Sequence, residues 1–198
     1  MTRHVTPADG APLDEVVVGS DLLHRGRYLS LRIDTIERAD GSRARREIVG
    51  HPGAVAIVAI DADDRVALVR QWRVAAGTAL LEIPAGTLDV DAATDEVEDP
   101  DVAAARELEE ETGLRAGTWR RLTSFWTAPG FATELMHLYL ATDLAPAVDE
   151  RLGPDEDERL ELVWQAFDEA VAAAARGVLA DAKSIVGLLL VDHLRRES

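Results

Sequence analysis

The chain has 198 residues, of which 47% are hydrophobic, so it is long and apolar enough for one packed domain with a small appendage. A formal net charge of −16 argues against a surface that follows a nucleic-acid backbone, and we expect no nucleic-acid partner. The sequence contains no cysteine, which excludes disulfides and thiolate ligands, so any bound metal must be held by oxygen or imidazole.

No stretch of the sequence predicts a membrane segment. The first ten residues, MTRHVTPADG, lack an apolar signal core, and the longest apolar runs, AVAIVAI and VGLLLV, are too short to cross a bilayer. We therefore expect a cytoplasmic protein with no membrane partner. Arginine supplies almost all of the positive charge, since Lys183 is the only lysine, and this bias by itself indicates no function.

The first half of the chain carries mainly strand patterns. Short β-like runs between residues 21 and 49, broken by the turn ADGS, predict a small antiparallel sheet, and the residues before it are expected to be loosely ordered. The runs AVAIVAI and RVALVRQW, joined by the turn DADD, predict a buried hairpin. Residues 80–83 add a short strand, and the acidic stretch 87–98 predicts a loop.

The second half begins with clear helix signals. Asp99 is predicted as the N-cap, Pro100 as the first helical residue, and Gly113 as the residue just past the end. The strand patterns WRRLTSFWT, ELMHLYLAT and LELVW follow, and two helices are predicted at about residues 167–176 and 182–195. This order predicts an α+β fold with a mixed β-sheet packed between helices.

Three glutamates on the predicted helix carry the strongest chemical signal. Glu107, Glu110 and Glu111 stand at i, i+3 and i+4, so their carboxylates project from one face of the helix. Such like charges cost about 0.2–0.5 kcal/mol per pair, and a hard divalent cation would relieve the repulsion. An all-oxygen ligand set favours Mg²⁺, with Mn²⁺ as the alternative. A solvated acidic helix face is the competing interpretation.

Several neighbours favour the metal site. Arg106 is placed to pair with Glu110 at i+4 and to orient a ligand carboxylate, and Gly86 in the turn PAG precedes the helix. Glu156 and Glu158 lie in a separate acidic loop, GPDEDE, and either is a candidate base or water-orienting group. A solvated turn is the alternative for that loop.

At these residues the sequence resembles the Nudix hydrolases. Their motif runs Gly, five residues, Glu, seven residues, then R-E-U-x-E-E-x-G-U with U aliphatic, and RELEEETGL fits every position of its second half. Glu98 lies eight residues before Arg106, as the motif requires. Gly86 lies twelve residues before Glu98 instead of six, so the resemblance implies an insertion within residues 87–97.

Within that superfamily the chain is similar to the ADP-ribose pyrophosphatases from about Leu22 onward. The run ALLEIPAGTLD resembles the family's strand and turn before the motif, where the carbonyl of Ala85 would be a metal ligand. Pro129 in TAPGF lies fifteen residues after Leu114, where members that cleave ADP-ribose have a proline. The upstream segments REIVGHPGAVAIVAI and ALVRQWR resemble the family's N-terminal strands.

The resemblance implies roles for the remaining site residues. Glu107 and Glu111 would be the principal metal ligands, Glu110 a further ligand or a bridge between metals, and Arg106 their orienting residue. Arg70 would hold the diphosphate, with a surface charge on a strand as the alternative. Arg45 and Glu47 would contact adenine, and Tyr28 would stack on it unless it serves only in packing.

The expected organisation is an N-terminal layer in residues 1–50, for dimerisation and adenine contact, and a Nudix catalytic domain in residues 51–198. The implied reaction is the metal-dependent hydrolysis of ADP-ribose to AMP and ribose 5-phosphate. The implied partner is a second copy in a homodimer with exchanged N-terminal strands. The alternatives are another nucleotide-sugar, NADH or dinucleotide diphosphatase, a non-catalytic nucleotide-sensing module, and a purely structural acidic protein.

Overall fold

The computed structural model describes residues 14–147 and 159–197. The chain divides into two compact units. The first runs to His51 and takes in Ala128–Thr133, whereas the second contains Pro52–Thr127 and continues from Glu134. Within the described residues, no helix combines the length and the apolarity needed to cross a membrane.

The first unit is built on an antiparallel sheet of three strands, β1 (Glu15–Arg25), β2 (Ser30–Arg38) and β3 (Arg43–Gly50). The predicted small antiparallel sheet is confirmed, but the expected loose order before residue 21 is wrong for residues 15–20, which belong to β1. Every β1 residue is exposed, and its pairing with β2 has two register irregularities. The strand therefore lacks the buried alternation by which a sequence reveals a strand.

Within the described residues, the second unit contains two further sheets and three helices. Its strands are β4 (Ala54–Ala59), β5 (Arg65–Arg73), β6 (Thr78–Glu82), β7 (Ala85–Thr87), β8 (Leu114–Trp126), β9 (Leu135–Pro146) and β10 (Leu160–Ala166). Its helices are α1 (Pro100–Thr112), α2 (Phe167–Ala175) and α3 (Ala182–Arg196). One sheet has the order β7-β4-β9-β8 and the other the order β10-β5-β6, and β4 pairs in parallel with β9. The predicted mixed sheet is confirmed.

Strand β4 lies at the centre of the second unit, and both of its faces are buried. Ala56 and Val58 belong to a core cluster that includes Leu188 of α3. Val55 and Ile57 point to the opposite side, in the cluster that includes Leu108 of α1. Because successive side chains of a strand alternate between its faces, one strand serves two cores, and the predicted sheet between helices is confirmed.

The predicted hairpin of β4 and β5 is wrong. The two strands belong to different sheets, and only an isolated bridge between Ile60 and Val66 links them. The turn between them is tight, with an Asp61 carboxylate oxygen accepting from the backbone nitrogen of Arg65 at 2.8 Å. Since both apolar runs are buried, their pattern does not indicate which strands they pair with.

Candidate active site

Helix α1 is fixed at both ends as predicted. The Asp99 side chain caps its N-terminus by accepting from the backbone nitrogen of Asp101 at 2.8 Å, and Pro100 follows in the first turn. Gly113 ends the helix in the left-handed conformation, with φ of 68°. The Tyr139 hydroxyl donates to the Asp101 carboxylate at 2.6 Å, which attaches the first turn to β9. The helix therefore presents its glutamates from a fixed frame.

Arg106 is the hub of the glutamate cluster. Its Nε and Nη2 donate to the Glu98 carboxylate at 3.1 and 2.7 Å. Its Nη1 donates to Glu107 and to Glu110, at 2.8 Å in each case. The predicted pairing of Arg106 with Glu110 is present, and Glu98 and Glu107 share the same guanidinium. One planar cation with several donors thus holds three carboxylates apart at defined positions.

The charges of this hub stabilise one another. The hydrogen bonds to Glu98, together with the nearby Glu107 and Glu110, raise the pKa of Arg106 despite its partial burial, so the guanidinium stays protonated. In turn, the hydrogen bonds from Arg106 lower the pKa of Glu98 against the effect of burial. Arg106 and Glu98 therefore both carry their charge at neutral pH.

Strand β7 meets the same face of α1 through its main chain. The backbone nitrogen of Ala85 donates to a Glu111 carboxylate oxygen at 2.8 Å. A Cβ atom added to Gly86 would lie 1.9 Å from the carboxyl carbon of Glu107, much closer than two non-bonded atoms can approach. Only glycine leaves room for the Glu107 carboxylate in this position, directly against the backbone. Glu107 and Glu111 therefore meet the backbone of Ala85 and Gly86 at one place.

The donor set at this convergence fits a hard divalent cation. All candidate donors are oxygens, namely the carboxylates of Glu107, Glu110 and Glu111 and the carbonyl of Ala85. The glycine leaves room for a carboxylate against the backbone at the point where a carbonyl ligand is expected. In the described part of the chain, no three acidic or histidine side chains are arranged to hold a metal ion by themselves. The Glu107 and Glu110 carboxylates are bonded to Arg106, and that of Glu111 to the Ala85 amide.

The residues predicted to contact adenine lie in the first unit. Arg45 and Glu47 line a cavity of about 410 Å³ together with Ile33, Arg46 and Gly130. Pro129 is exposed and immediately precedes Gly130 in the segment that pairs with β3. Tyr28 is 48% exposed in the turn between β1 and β2, with the Arg27 guanidinium 4.7 Å from the centre of its ring.

The remaining predicted residues are on the surface or outside the described residues. Arg70 lies on β5 opposite Glu161 of β10, and their side chains are 3.7 Å apart and both more than half exposed. Such a pair contributes little to stability, so its guanidinium is available to an anion. Glu156 and Glu158, the candidate bases, lie outside the described residues.

Comparisons with known proteins agree with this geometry. The family profile described as NUDIX domain matches residues 50–186, which is more than half of the chain. The chain belongs to the Nudix family. It is 39% identical to an ADP-ribose pyrophosphatase of Mycobacterium tuberculosis, over 90% of this chain and 83% of that protein. It is 37% identical to the methanol dehydrogenase activator of Bacillus methanolicus, over 90% of this chain and 93% of that protein.

The fold comparison matches nearly the whole chain to one solved structure. A crystal structure titled as an ADP compounds hydrolase superposes with a TM-score of 0.74, covering 96% of this chain and 98% of that one at 24% identity. The expected Nudix fold is confirmed by this match, and the resemblance to the ADP-ribose pyrophosphatases is confirmed by the sequence relatives. The chain is accordingly a Nudix enzyme of the pyrophosphatase type.

The long spacing inside the Nudix motif corresponds to a loop that closes on itself. The backbone nitrogen of Glu98 donates to the carbonyl of Asp89 at 2.8 Å, and that of Asp89 donates back to the Glu98 carboxylate at 3.2 Å. We call these two hydrogen bonds between Asp89 and Glu98 the clasp. Val90 and Val97, the next residues into the loop on each side, form an antiparallel bridge. Glu98 therefore reaches Arg106 although the glycine lies six residues further from it than the motif requires.

One buried network near the Nudix motif was not among the predicted site residues. Glu82 is 1% exposed, and Arg73 donates to its two oxygens at 2.8 and 2.7 Å. The Lys183 ammonium group contacts the same carboxylate. Burial favours the neutral form of Glu82, but the hydrogen bonds from Arg73 and the charge of Lys183 outweigh it and lower the pKa of Glu82. A charged residue within the apolar run ALLEIPAG was the available signal.

Proposed function

We propose that the chain hydrolyses the diphosphate bond of ADP-ribose to AMP and ribose 5-phosphate, with Mg²⁺ as cofactor and Mn²⁺ as a substitute. The observation that carries the proposal is the convergence of the Arg106-ordered glutamates with the backbone of Ala85 and Gly86. The 39% identity to an ADP-ribose pyrophosphatase supports the substrate. An all-oxygen site suits Mg²⁺, which shares its coordination with phosphate oxygens.

The residues of α1 take defined roles in this proposal. Glu107 and Glu111 bind metal together with the carbonyl of Ala85, and Glu110 is a further ligand or bridges two metals. A bound divalent cation would neutralise the nonbridging phosphate oxygens and lower the pKa of a bound water. Arg106 keeps the carboxylates at fixed positions, because its Nη1 touches both Glu107 and Glu110 at 2.8 Å.

The substrate contacts are proposed on separate grounds. Arg70 would hold the diphosphate, since its weak pairing with Glu161 leaves the guanidinium available. The cavity that contains Arg45 and Glu47 carries hydrogen-bond donors and acceptors suited to an adenine edge. Tyr28, half exposed, would stack on the base.

Three further assignments follow the family. Pro129, next to the Gly130 of that cavity, would help select ADP-ribose. Glu156 or Glu158 would orient or deprotonate the attacking water. Residues 1–50 would form the adenine-contacting and dimerising layer, and residues 51–198 the catalytic domain. The cytoplasmic location remains a prediction from the sequence.

We also propose that the protein is a homodimer with exchanged N-terminal strands. Strand β1 is exposed along its whole length, and its apolar side chains Val16, Val17, Leu22 and Leu23 are each more than half exposed. An exposed apolar edge strand is a template for pairing with another chain, and an exposed apolar patch marks a protein–protein interaction site. Light scattering after size exclusion is expected to give a dimer for the wild type and a monomer for Leu23→Glu. A wild-type monomer would exclude the dimer without affecting the proposed reaction.

The proposed reaction is tested by product chromatography. ADP-ribose, a UDP-sugar, GDP-mannose, NADH and a diadenosine polyphosphate are each incubated with Mg²⁺ and wild type, Glu111→Gln or Glu169→Gln. Glu169 is an exposed carboxylate on α2 and serves as the matched control. We expect preferential release of AMP from ADP-ribose by the wild type and by Glu169→Gln, and its loss in Glu111→Gln.

Each other outcome identifies an alternative. Preference for GDP-mannose or another diphosphate would keep the metal chemistry and replace the substrate, and the relatives include GDP-mannose pyrophosphatases. Cleavage that survives Glu111→Gln would remove Glu111 from the mechanism. Binding of ADP-ribose without cleavage of any compound would favour the nucleotide-sensing module over a hydrolase.

A further inference from the structure

The only lysine of the chain lies where helix electrostatics disfavour it. Lys183 is in the first turn of α3, two residues after the N-cap Asp181, and the positive end of the helix dipole repels a cation there. The residue is 9% exposed, although a lysine is rarely buried without a partner. All 20 other cationic side chains are arginines. The position therefore has a specific reason to hold a compact ammonium group.

That reason is a network that joins α3 to the end of β6. The Lys183 Nζ contacts the Glu82 carboxylate and lies 3.0 Å from Asp181. The Ser184 hydroxyl donates to Asp181 at 2.6 Å and accepts from the backbone nitrogen of Ile83 at 2.8 Å. The first turn of α3 thus binds two consecutive residues of the strand end, one through its side chain and one through its backbone.

These two residues directly precede the part of the main chain that meets the Nudix glutamates. Pro84 follows Ile83, and its carbonyl accepts from the backbone nitrogen of Ile57 at 2.9 Å. Next come Ala85, whose amide donates to Glu111, and Gly86 against Glu107. The position of this main chain is therefore determined from one side by β4 and from the other by α3. The hydrogen bonds to Glu82 chiefly, and further the charge of Glu111, raise the pKa of Arg73.

We propose that Lys183 is a positioning residue of the Nudix site: through Glu82, and with Ser184, it fixes residues 83–86 so that the Ala85 and Gly86 backbone meets the glutamates correctly. The inference rests on the proposed role of these glutamates as metal ligands. Lys183 itself touches neither metal nor substrate. Its loss is expected to disturb the metal site through a displacement of the backbone.

The test measures Mn²⁺ binding by electron paramagnetic resonance on the full chain, with no substrate present. Lys183→Met is compared with Arg115→Met. Arg115 donates to the Glu109 carboxylate, which is 6% exposed, at 2.7 Å through both Nε and Nη2, so its removal also leaves a buried carboxylate without its partner. Loss of a residue that orients a metal ligand costs about 10–100-fold in affinity. We expect at least about tenfold weaker Mn²⁺ binding in Lys183→Met and unchanged binding in Arg115→Met.

A chemical rescue separates the charge from a general effect on folding. Because the chain has no cysteine, Lys183→Cys provides a single thiol, which is alkylated in the unfolded protein with bromoethylamine before refolding. This restores an ammonium group on a side chain of similar length, whereas iodoacetamide adds a neutral group. We expect the aminoethylated protein to recover Mn²⁺ affinity and the neutral adduct not to, with wild type carried through the same refolding as control.

The outcomes distinguish this inference from the proposed function. Mn²⁺ binding by Lys183→Met within about twofold of the wild type, or equal losses in Lys183→Met and Arg115→Met, would overturn the positioning role. Failure of aminoethylation to restore affinity would do the same. Wild-type Mn²⁺ binding without ADP-ribose cleavage would reject the substrate and leave the positioning role standing. No Mn²⁺ binding by the wild type would reject both.

Discussion

Replacing Gly86 by alanine should separate folding from catalysis. The added Cβ would lie 1.9–2.2 Å from the three carboxyl atoms of Glu107, and real contacts are essentially never under 3.0 Å, so the carboxylate must retreat by about 1 Å. The obstacle is the end of a flexible side chain, and the φ angle of Gly86 is not in the left-handed region. The side chain can therefore move while the backbone keeps its course.

The two effects have different magnitudes. The folded state risks the ion pair of the buried Glu107 with Arg106, which keeps its bonds to Glu98 and Glu110, so the loss is on the order of 1 kcal/mol. Alanine recovers about 0.4–1 kcal/mol by restricting the unfolded chain. The melting temperature should therefore stay within about 4 °C of the wild type. A misplacement of about 1 Å at a catalytic group, by contrast, costs about 100-fold in rate.

The assay combines thermal unfolding by circular dichroism with kcat for ADP-ribose and Mg²⁺. Gly19→Ala is the matched control, because its added Cβ would lie 3.9 Å from the nearest atom, the Thr35 Cβ, in ordinary contact. We expect Gly19→Ala to keep both properties and Gly86→Ala to keep only its stability. A Gly86→Ala enzyme with kcat within about threefold of the wild type would refute the claim that the Glu107 carboxylate must lie against this backbone.

Three further variants address the hub, its ionisation and the core beneath it. Arg106→Lys keeps the charge but loses the planar set of donors to Glu98 and Glu110, so kcat should fall about tenfold or more, and an unchanged kcat would remove its orienting role. Because Arg106 lowers the pKa of Glu98 in the folded state, the ionised Glu98 stabilises the protein at a pH above its ordinary pKa of 4.5, and this stability is lost as the pH falls below that value. The melting temperature should thus fall less steeply below pH 4.5 in Glu98→Gln than in the wild type, and parallel curves would contradict the pairing. Leu108→Ala, at 0% exposure, should cost about 2–5 kcal/mol in urea unfolding, and Val102→Ala, at 60% exposure, much less.

The sequence predicted best those features that depend on short-range spacing. The caps at Asp99 and Gly113 and the pairing of Arg106 with Glu110 are local, because a helix fixes which residues are neighbours at i+4. Strand pairing was harder, since β4 and β5 are buried and their apolar runs are compatible with several partners. The wrong hairpin arose from the assumption that strands adjacent in sequence are adjacent in the sheet.

Long-range contacts of polar residues could not be predicted at all. Glu82 and Lys183 are 101 residues apart, and neither lies in a sequence pattern that indicates the other as its partner. Their pairing depends on how α3 packs beside the strand end, which is a property of the tertiary structure. The unusual types of the two residues, a glutamate in an apolar run and the only lysine, marked the positions without indicating the contact.

The clasp between Asp89 and Glu98 has a consequence for how such a loop can vary between relatives. The chain leaves and re-enters at nearly the same point, because the Glu98 amide donates to the Asp89 carbonyl and the Asp89 amide donates to the Glu98 carboxylate across the base of the loop. The entropic cost of closing a flexible loop grows only slowly with its length. Residues 90–97 could thus be shortened, extended or replaced by a foreign peptide while Glu98 stays on Arg106. The spacing that matters between the glycine and this glutamate is a distance in space, and the number of residues is free to drift.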